Sequence, residues 1–236
     1  MPIIIAHRGA SVEAPENTLA AIRAAQEAGA DWVEWDARVT ADGQLLLQHD
    51  DSLKRFTGEK VAVEALTFAQ ARQYDVGSWF DKRFVGENMP GLAEAIEAAL
   101  PDLVPLIERK TGSAEQYFKV LQGMDVMGKV VVQAFDWDFL EELRKLAPGL
   151  RLGALGEGGI SDEKLSAIAG LKVGFVGWKA ADLKRGDVER LHGIGVEVAV
   201  WTVDKPGEIC KFVSWGVDAI ITNDPAGTRK VVELEN

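Results

Sequence analysis

The chain has 236 residues, 47% hydrophobic and 27% charged, with a formal net charge of -11, a composition typical of a globular domain with a sizeable core. The acidic balance argues against a general nucleic-acid binder, which normally presents a basic surface to the phosphate backbone. It leaves a small anionic substrate open, because a pocket can be locally positive within an acidic protein.

Apolar, β-rich runs alternate with amphipathic helical patterns along the chain. The nine predicted strands are PIIIAH, DWVEWD, QLLLQH, LVPLIE, KVVVQAF, LRLGAL, VGFVGW, VEVAVWTV and VDAIITN. Helical patterns such as TLAAIRAAQEAG lie between most of them. This alternation is typical of a parallel sheet with helices outside it, and the length suits one α/β barrel of about 250 residues.

The second and third runs, in VEWDARVTADGQLLLQHD, are an exception because no helix separates them. The Asp-Gly pair in TADG is a signal for a two-residue hairpin loop. With that loop, Asp36 lies opposite His49. The third run then folds back over the barrel rim and eight barrel strands remain. We therefore predict a single (βα)₈ TIM barrel over residues 1–236, with a β-hairpin excursion after its second strand.

Residues 52–90 are longer than a usual connection and are crowded with aromatic residues near Trp79, Phe80 and Phe84. The simpler interpretation is that these side chains pack beneath a long loop. The alternative is a small insertion that forms a cap near the barrel mouth and shapes substrate access.

The chain offers no sign of export or of membrane insertion. Cys210 is the single cysteine, so no disulfide can form within the chain. The sequence passes from Met-Pro directly into an apolar strand, and no apolar stretch approaches the ~20 residues that cross a bilayer. We expect a cytoplasmic protein without stable membrane association, and the sequence does not predict an oligomeric state.

Polar side chains mark the carboxyl ends of several predicted strands, where barrels of this class carry their active sites. The side chains that alternation turns inward at these ends are those of His7, Glu34, Asp36, Glu108 and Lys110. Arg109 faces the other way. His49 joins the group from the hairpin.

Three of these side chains are carboxylates, from Glu34, Asp36 and Glu108, and no cysteine accompanies them. Such a set is a hard oxygen site, suited to Mg²⁺ or Ca²⁺ rather than Zn²⁺. Without a counter-charge the three carboxylates would raise one another's pKa, and a divalent cation removes that repulsion.

The basic side chains complete a pattern that indicates cleavage of a phosphodiester. Arg8 and Lys110 supply fixed positive charge for binding a phosphate and for stabilising charge that develops on it. His7 and His49 can exchange protons with attacking and leaving oxygens near neutral pH. Taken singly, each member has a simpler interpretation, such as a salt bridge or a solvated strand end.

Three other segments have both a structural and a functional interpretation. In PENT, Asn17 or Thr18 can cap the first helix, which we favour over a direct role of Glu16. In ITNDP, an Asn or Asp after the last strand can cap the final helix. Trp201 ends a predicted strand and is either core filler or the wall of a pocket that suits the apolar side of a glycerol.

In order along the chain these motifs resemble the glycerophosphodiester phosphodiesterase family, and the resemblance covers nearly the whole sequence. The motifs are HRG, PENT, EWD, HDDSLKRFTG, ERK, VWTVD and ITNDP. The resemblance implies a (βα)₈ barrel and hydrolysis of a glycerophosphodiester substrate to an alcohol and sn-glycerol 3-phosphate. It also implies one divalent cation, Mg²⁺, Ca²⁺ or Mn²⁺.

The resemblance further implies a role for each site residue. Glu34, Asp36 and Glu108 are expected to bind the ion, with His7 and His49 as acid and base, Arg8 and Lys110 on the phosphate, and Trp201 against the glycerol. The sequence departs from the family pattern at Arg109, at Ala134, where serine is frequent, and at Asp204, where asparagine is common. The last two bear on specificity.

Two other functions compete with this interpretation. A phospholipase-type phosphodiesterase would act on lipid or lysolipid, but the acidic chain has no evident amphipathic membrane helix. A non-catalytic barrel that binds glycerophosphodiesters would be indicated by loss of a histidine or a metal carboxylate, and none is lost.

Overall fold

The computed structural model describes residues 1–234, in which nine strands alternate with ten α-helices. The strands are β1 (Ile3–His7), β2 (Trp32–Val39), β3 (Leu45–Leu47), β4 (Val104–Arg109), β5 (Val131–Ala134), β6 (Arg151–Gly156), β7 (Phe175–Lys179), β8 (Glu197–Trp201) and β9 (Ala219–Thr222). The helices are α1 (Leu19–Glu27), α2 (Lys54–Thr57), α3 (Phe68–Ala71), α4 (Leu92–Ala99), α5 (Ala114–Gly123), α6 (Trp137–Leu146), α7 (Asp162–Leu171), α8 (Arg185–Gly193), α9 (Pro206–Trp215) and α10 (Pro225–Leu234). Short 3₁₀ turns cover Val63–Ala65 and Lys82–Phe84.

Eight of these strands run parallel and close into a barrel. The first and last strands meet, with Ile3 of β1 beside Ala219 of β9. On its other edge β1 pairs with β2, where His7 lies beside Glu34. The ninth strand, β3, is antiparallel and pairs with β2 beyond the closed barrel. The predicted (βα)₈ barrel with a hairpin after its second strand is therefore confirmed.

The barrel interior is apolar toward the amino ends of its strands. Its buried apolar side chains are Ile5, Trp32, Leu106, Val131, Phe175, Ala199, Ala219 and Ile221. A second, larger core fills the layer between strands and helices and includes fully buried Trp35 and Trp178. Because alternate residues of a strand face opposite sides, the polar residues that follow the interior set continue the inward face at the carboxyl ends.

The register of the hairpin differs from the prediction by one residue. Ala37 lies opposite Leu47, and the Gln48 backbone N–H donates to the Asp36 carbonyl at 2.9 Å. Gln48, and not His49, is thus opposite Asp36.

The cause of this shift is a three-residue loop in place of the expected two-residue one. Thr40 pairs with Gln44 through its backbone N–H (2.8 Å). Its hydroxyl donates to Asp42 (2.5 Å) and accepts from the Gln44 N–H (3.0 Å). Gly43 has φ 79°, the left-handed conformation that ends such loops.

Residues 52–90 pack around a small apolar cluster of their own. Its buried members are Leu46, Leu53, Val63, Ala71, Val76 and Met89. Leu46 belongs to β3, so this segment packs against the hairpin. Its boundaries as an insertion or cap stay a prediction.

None of the helices described between residues 1 and 234 combines the length and the apolar character that crossing a membrane requires. The cytoplasmic location expected from the sequence stays a prediction.

Candidate active site

Three carboxylates converge at the carboxyl ends of β2 and β4. Glu34 and Asp36 lie on β2, and the strand register places Asp36 beside Glu108 of β4. All three residues are buried, and one oxygen of each lies within 4.8 Å of the others. The structure thus brings together the three residues that the sequence nominated as metal ligands.

Burial and mutual repulsion set the charge of this acidic triad. Burial raises the pKa of Glu34 well above its usual range, and the charges of Asp36 and Glu108 add to the effect. Burial and the Asp36 charge raise the pKa of Glu108 to about 7. Burial acts in the same direction on Asp36, but Arg8 and Lys110 outweigh it and lower its pKa to about 2.

Two cations balance part of this negative charge. Arg8 Nε lies 3.1 Å from Asp36 Oδ2, and Lys110 Nζ lies 3.2 Å from Asp36 Oδ1 and also pairs with Glu108. Two positive charges cannot balance the three carboxylates when all of them are ionised, and every donor in the triad is oxygen. The residues therefore fit a hard divalent cation, as Mg²⁺ and Ca²⁺ are.

The HRG motif forms a sharp turn that places basic side chains directly at the end of the apolar strand β1. Arg8 and Gly9 have φ 57° and 83°, so the chain turns sharply in the left-handed region. A Cβ on Gly9 would lie 2.5 Å from the Ala21 side chain, so only glycine fits this turn. The turn directs the Arg8 backbone N–H to Glu34 Oε2 at 3.0 Å.

A chain of hydrogen bonds fixes the orientation of His7. His7 Nδ1 lies 2.7 Å from Asn223 Oδ1. Asn223 Nδ2 donates to Asp204 Oδ2 (2.7 Å), and the Ser11 hydroxyl donates to Asn223 Oδ1 (2.9 Å). Because an amide oxygen can only accept, His7 Nδ1 carries hydrogen and Nε2 is left as an acceptor.

A second network holds His49. Its Nδ1 donates to Asp50 Oδ1 (2.9 Å), and Asp50 Oδ2 accepts from Arg55 Nε (3.0 Å). Arg55 also pairs with Glu16 (2.6 Å), which pairs in turn with Arg8 (2.9 Å). The pKa of Asp50 is lowered, because the bonds to His49 and Arg55 outweigh its burial. Glu16 therefore acts on the site through Arg8.

The PENT segment contributes both a cap and a site residue. Thr18 caps α1 by accepting from the Ala21 N–H (3.2 Å), as expected. Asn17 instead makes two hydrogen bonds to Asp36. Asn17 Nδ2 donates to Asp36 Oδ2 (2.9 Å), and Asn17 Oδ1 accepts from the Asp36 backbone N–H (3.0 Å). From the sequence, Asn17 was expected only as a candidate helix cap. The PENT motif that contains it was the one available signal for this second role.

The ITNDP segment also divides between the two roles. Asp224 caps α10, with Oδ1 accepting from the Gly227 N–H at 2.8 Å. Asn223 faces His7 rather than the helix, so the choice left open by the sequence resolves in favour of Asp224 as the cap.

A cavity of about 250 Å³ opens over these groups. The predicted site residues that line it are His7, Arg8, Glu34, His49, Glu108, Lys110 and Trp201. Its other side is largely apolar, with Phe135 and Leu155 beside Trp201, whose ring meets that of Phe135 edge to face at 5.7 Å. Phe135, 47% exposed at the mouth, forms part of this apolar side, and the strand pattern of the sequence did not indicate its role.

Two residues noted as departures from the family pattern face away from the cavity. The Arg109 guanidinium lies over the Phe139 ring at 4.9 Å and pairs with Asp136 at 2.8 Å. Ala134 is buried in the layer between strands and helices. A serine at position 134 would therefore not reach a bound substrate.

Comparison with known proteins agrees with this geometry. A model of the glycerophosphoryl diester phosphodiesterase family matches residues 7–227. A glycerophosphodiester phosphodiesterase of Caldanaerobacter subterraneus subsp. tengcongensis is 32% identical over 230 residues, which cover 94% of each chain. Another, from Bacillus subtilis, is 30% identical over 252 residues, which cover 97% of this chain and 86% of the relative.

Solved structures show the same architecture. An Oleispira antarctica phosphodiesterase, crystallised with the product sn-glycerol-3-phosphate, superposes with a TM-score of 0.90 at 25% identity, covering 99% of this chain and 97% of that one. A glycerophosphodiester phosphodiesterase from Agrobacterium tumefaciens gives 0.84 at 27% identity, covering 97% and 100%. The chain described here belongs to the glycerophosphoryl diester phosphodiesterase family of enzymes.

Proposed function

We propose that the chain hydrolyses glycerophosphodiesters to an alcohol and sn-glycerol 3-phosphate, with one divalent cation and two histidines as acid and base. The observation that carries the proposal is a single cavity lined by His7, His49, Arg8 and Lys110, with the buried acidic triad at its edge. The product complex of the Oleispira antarctica phosphodiesterase supports the choice of substrate.

Glu34, Asp36 and Glu108 would hold the ion, which we expect to be Mg²⁺ or Ca²⁺, with Mn²⁺ as a further possibility. When bound, the ion would neutralise the triad and stabilise negative charge on a phosphate oxygen. Asn17 keeps Asp36 in place through two hydrogen bonds, so the triad is preorganised by a neutral side chain.

Arg8 and Lys110 would bind the phosphate. Both line the cavity, and both are held at its acidic edge by ion pairs, Arg8 with Glu16 and Lys110 with Glu108. Charge fixed in this way can stabilise the extra negative charge of a pentacovalent phosphorus without rearranging during the reaction.

The two histidines differ in their hydrogen-bond partners, and this difference supports distinct roles for them. His7 donates Nδ1–H to a neutral amide, which leaves Nε2 as a base. Burial and the charge of Arg8 lower the pKa of His7, which favours the neutral form. His49 donates Nδ1–H to a charged acceptor, the Asp50 carboxylate. We therefore assign His7 as the general base and His49 as the general acid for the leaving alcohol.

The apolar wall would receive the glycerol carbons. Trp201 is fixed by donation from Nε1 to the Gly177 carbonyl (2.9 Å), and Phe135 packs against its ring. The segment 52–90 would act as a cap, because its Arg55 reaches the Glu16–Arg8 pair at the phosphate side of the cavity.

The proposal is tested by measuring release of sn-glycerol 3-phosphate from glycerophosphocholine. Excess chelator should abolish release, and added Mg²⁺, Ca²⁺ or Mn²⁺ should restore it. Full activity in chelator would contradict the metal assignment. Faster cleavage of intact or lysophosphatidylcholine would favour a phospholipase. Binding of glycerophosphocholine with no cleavage under any metal would favour a non-catalytic barrel.

A further inference from the structure

Gln133 of β5 is a buried polar residue that the mechanism above does not use. It is 1% exposed, lines the cavity, and lies beside Glu108 in the β4–β5 register. Its side-chain oxygen Oε1 is buried and has no hydrogen-bond partner among residues 1–234.

An acceptor left unpaired in the interior is unusual, because it loses its hydrogen bond to water and gains none in return. Two donors that line the same cavity are already engaged. Trp201 Nε1–H is bound to the Gly177 carbonyl at 2.9 Å, and Lys110 pairs with Asp36 and Glu108. A ligand that occupies the cavity can supply the donor that Gln133 Oε1 lacks.

Gly177 lies next to this oxygen, at a position where a larger residue would overlap Leu155. A Cβ on Gly177 of β7 would lie 2.6 Å from Leu155 Cδ2, 3.5 Å from Trp201 Cδ1 and 3.6 Å from Gln133 Oε1. The acceptor thus faces the apolar wall on the β7 side, whereas Arg8 and Lys110 approach from β1 and β4.

We propose that Gln133 accepts a hydrogen bond from the terminal hydroxyl of the glycerol unit and so selects glycerol-containing diesters. The inference rests on the proposed function. With the phosphate at Arg8 and Lys110 and the carbons along Trp201, the hydroxyl farthest from the phosphate is the one that reaches the β7 side.

The test is a binding cycle that needs no turnover. Dissociation constants of the Mg²⁺-loaded enzyme and of Gln133→Met are measured by calorimetry for sn-glycerol 3-phosphate and two analogues. Propane-1,2-diol 1-phosphate lacks the terminal hydroxyl, and propane-1,3-diol 1-phosphate lacks the central one. The substitution keeps the length of the side chain and removes its acceptor.

We expect Gln133→Met to weaken binding of the two ligands that retain the terminal hydroxyl about fivefold to tenfold, the value of one hydrogen bond. Binding of propane-1,2-diol 1-phosphate and of inorganic phosphate should change less than about twofold. The unaltered enzyme should itself prefer sn-glycerol 3-phosphate over propane-1,2-diol 1-phosphate by a similar factor, which tests the inference even if the variant is unstable.

An equal effect of the substitution on all ligands would overturn the inference, as would sensitivity that follows the central hydroxyl. Failure of the proposed function would look different: the unaltered enzyme would not release sn-glycerol 3-phosphate from glycerophosphocholine, whatever the result of the binding cycle.

Discussion

The orientation of His7 by Asn223 leads to a quantitative prediction for Asn223→Ala. The substitution removes the oxygen that accepts from His7 Nδ1 at 2.7 Å and leaves a partly buried N–H without its partner, at a cost of about 1–3 kcal/mol. The imidazole would then turn or exchange its tautomer to recover that energy, and Nε2 would lose its assigned role. If the activation free energy rises by a similar amount, kcat falls about tenfold to a hundredfold.

The assay is steady-state hydrolysis of glycerophosphocholine, with released sn-glycerol 3-phosphate measured enzymatically. KM should change little, because Asn223 is not among the residues that line the cavity. Ser11→Ala is the matched control, since it removes another bond to the same Asn223 oxygen (2.9 Å) and leaves the His7 bond intact. A kcat of Asn223→Ala within about twofold of that of the unaltered enzyme would contradict this role of Asn223, as would an equal loss of kcat in Ser11→Ala.

Three further predictions follow from the same geometry. His49→Ala should lower kcat about 10²-fold or more through loss of the general acid, and unchanged turnover would remove His49 from the mechanism. Metal affinity should fall as the pH drops below about 7, because Glu34 and Glu108 have raised pKa values and bind protons that the ion must displace. Calorimetry at about pH 6 and about pH 8, in buffers of different ionisation enthalpy, checks this, and equal affinity without proton release would contradict it. Gly9→Ala should lower the free energy of unfolding by about 2 kcal/mol or more, because a Cβ in this left-handed turn would lie 2.5 Å from Ala21. Urea denaturation measures the loss. An unchanged denaturation midpoint would contradict the prediction and show that the turn relaxes.

The architecture was predictable because its signals are local and repeated. Each barrel strand is a short apolar run, each is followed by a helical pattern, and the one pair without a helix contains an Asp-Gly turn. Charged residues at the ends of these runs were equally visible, because Glu34, Asp36 and Glu108 have no reason to interrupt an apolar strand unless a site needs them.

The hairpin register was not predictable from the Asp-Gly pair alone. The side chain of Thr40 bonds within the loop, to Asp42 and to the Gln44 N–H, and these contacts favour a three-residue loop. A single extra residue moves Gln48, rather than His49, opposite Asp36.

The neutral amides of the site were also beyond a reading of the sequence. Asn17 and Asn223 stand where helix caps are common, and Gln133 lies within a strand of otherwise apolar residues. An uncharged side chain carries no signal of its own, and its importance depends on the partner it meets after folding. Asp36, His7 and the cavity supply those partners from distant parts of the chain.

The bond between His7 and Asn223 joins positions 216 residues apart, one on the first strand and the other just after the last. During translation the proposed general base would therefore be oriented only after residue 223 has emerged from the ribosome. Chains that end before Asn223 should then cleave glycerophosphodiesters much more slowly than chains that include it, because His7 would lack the partner that orients its ring.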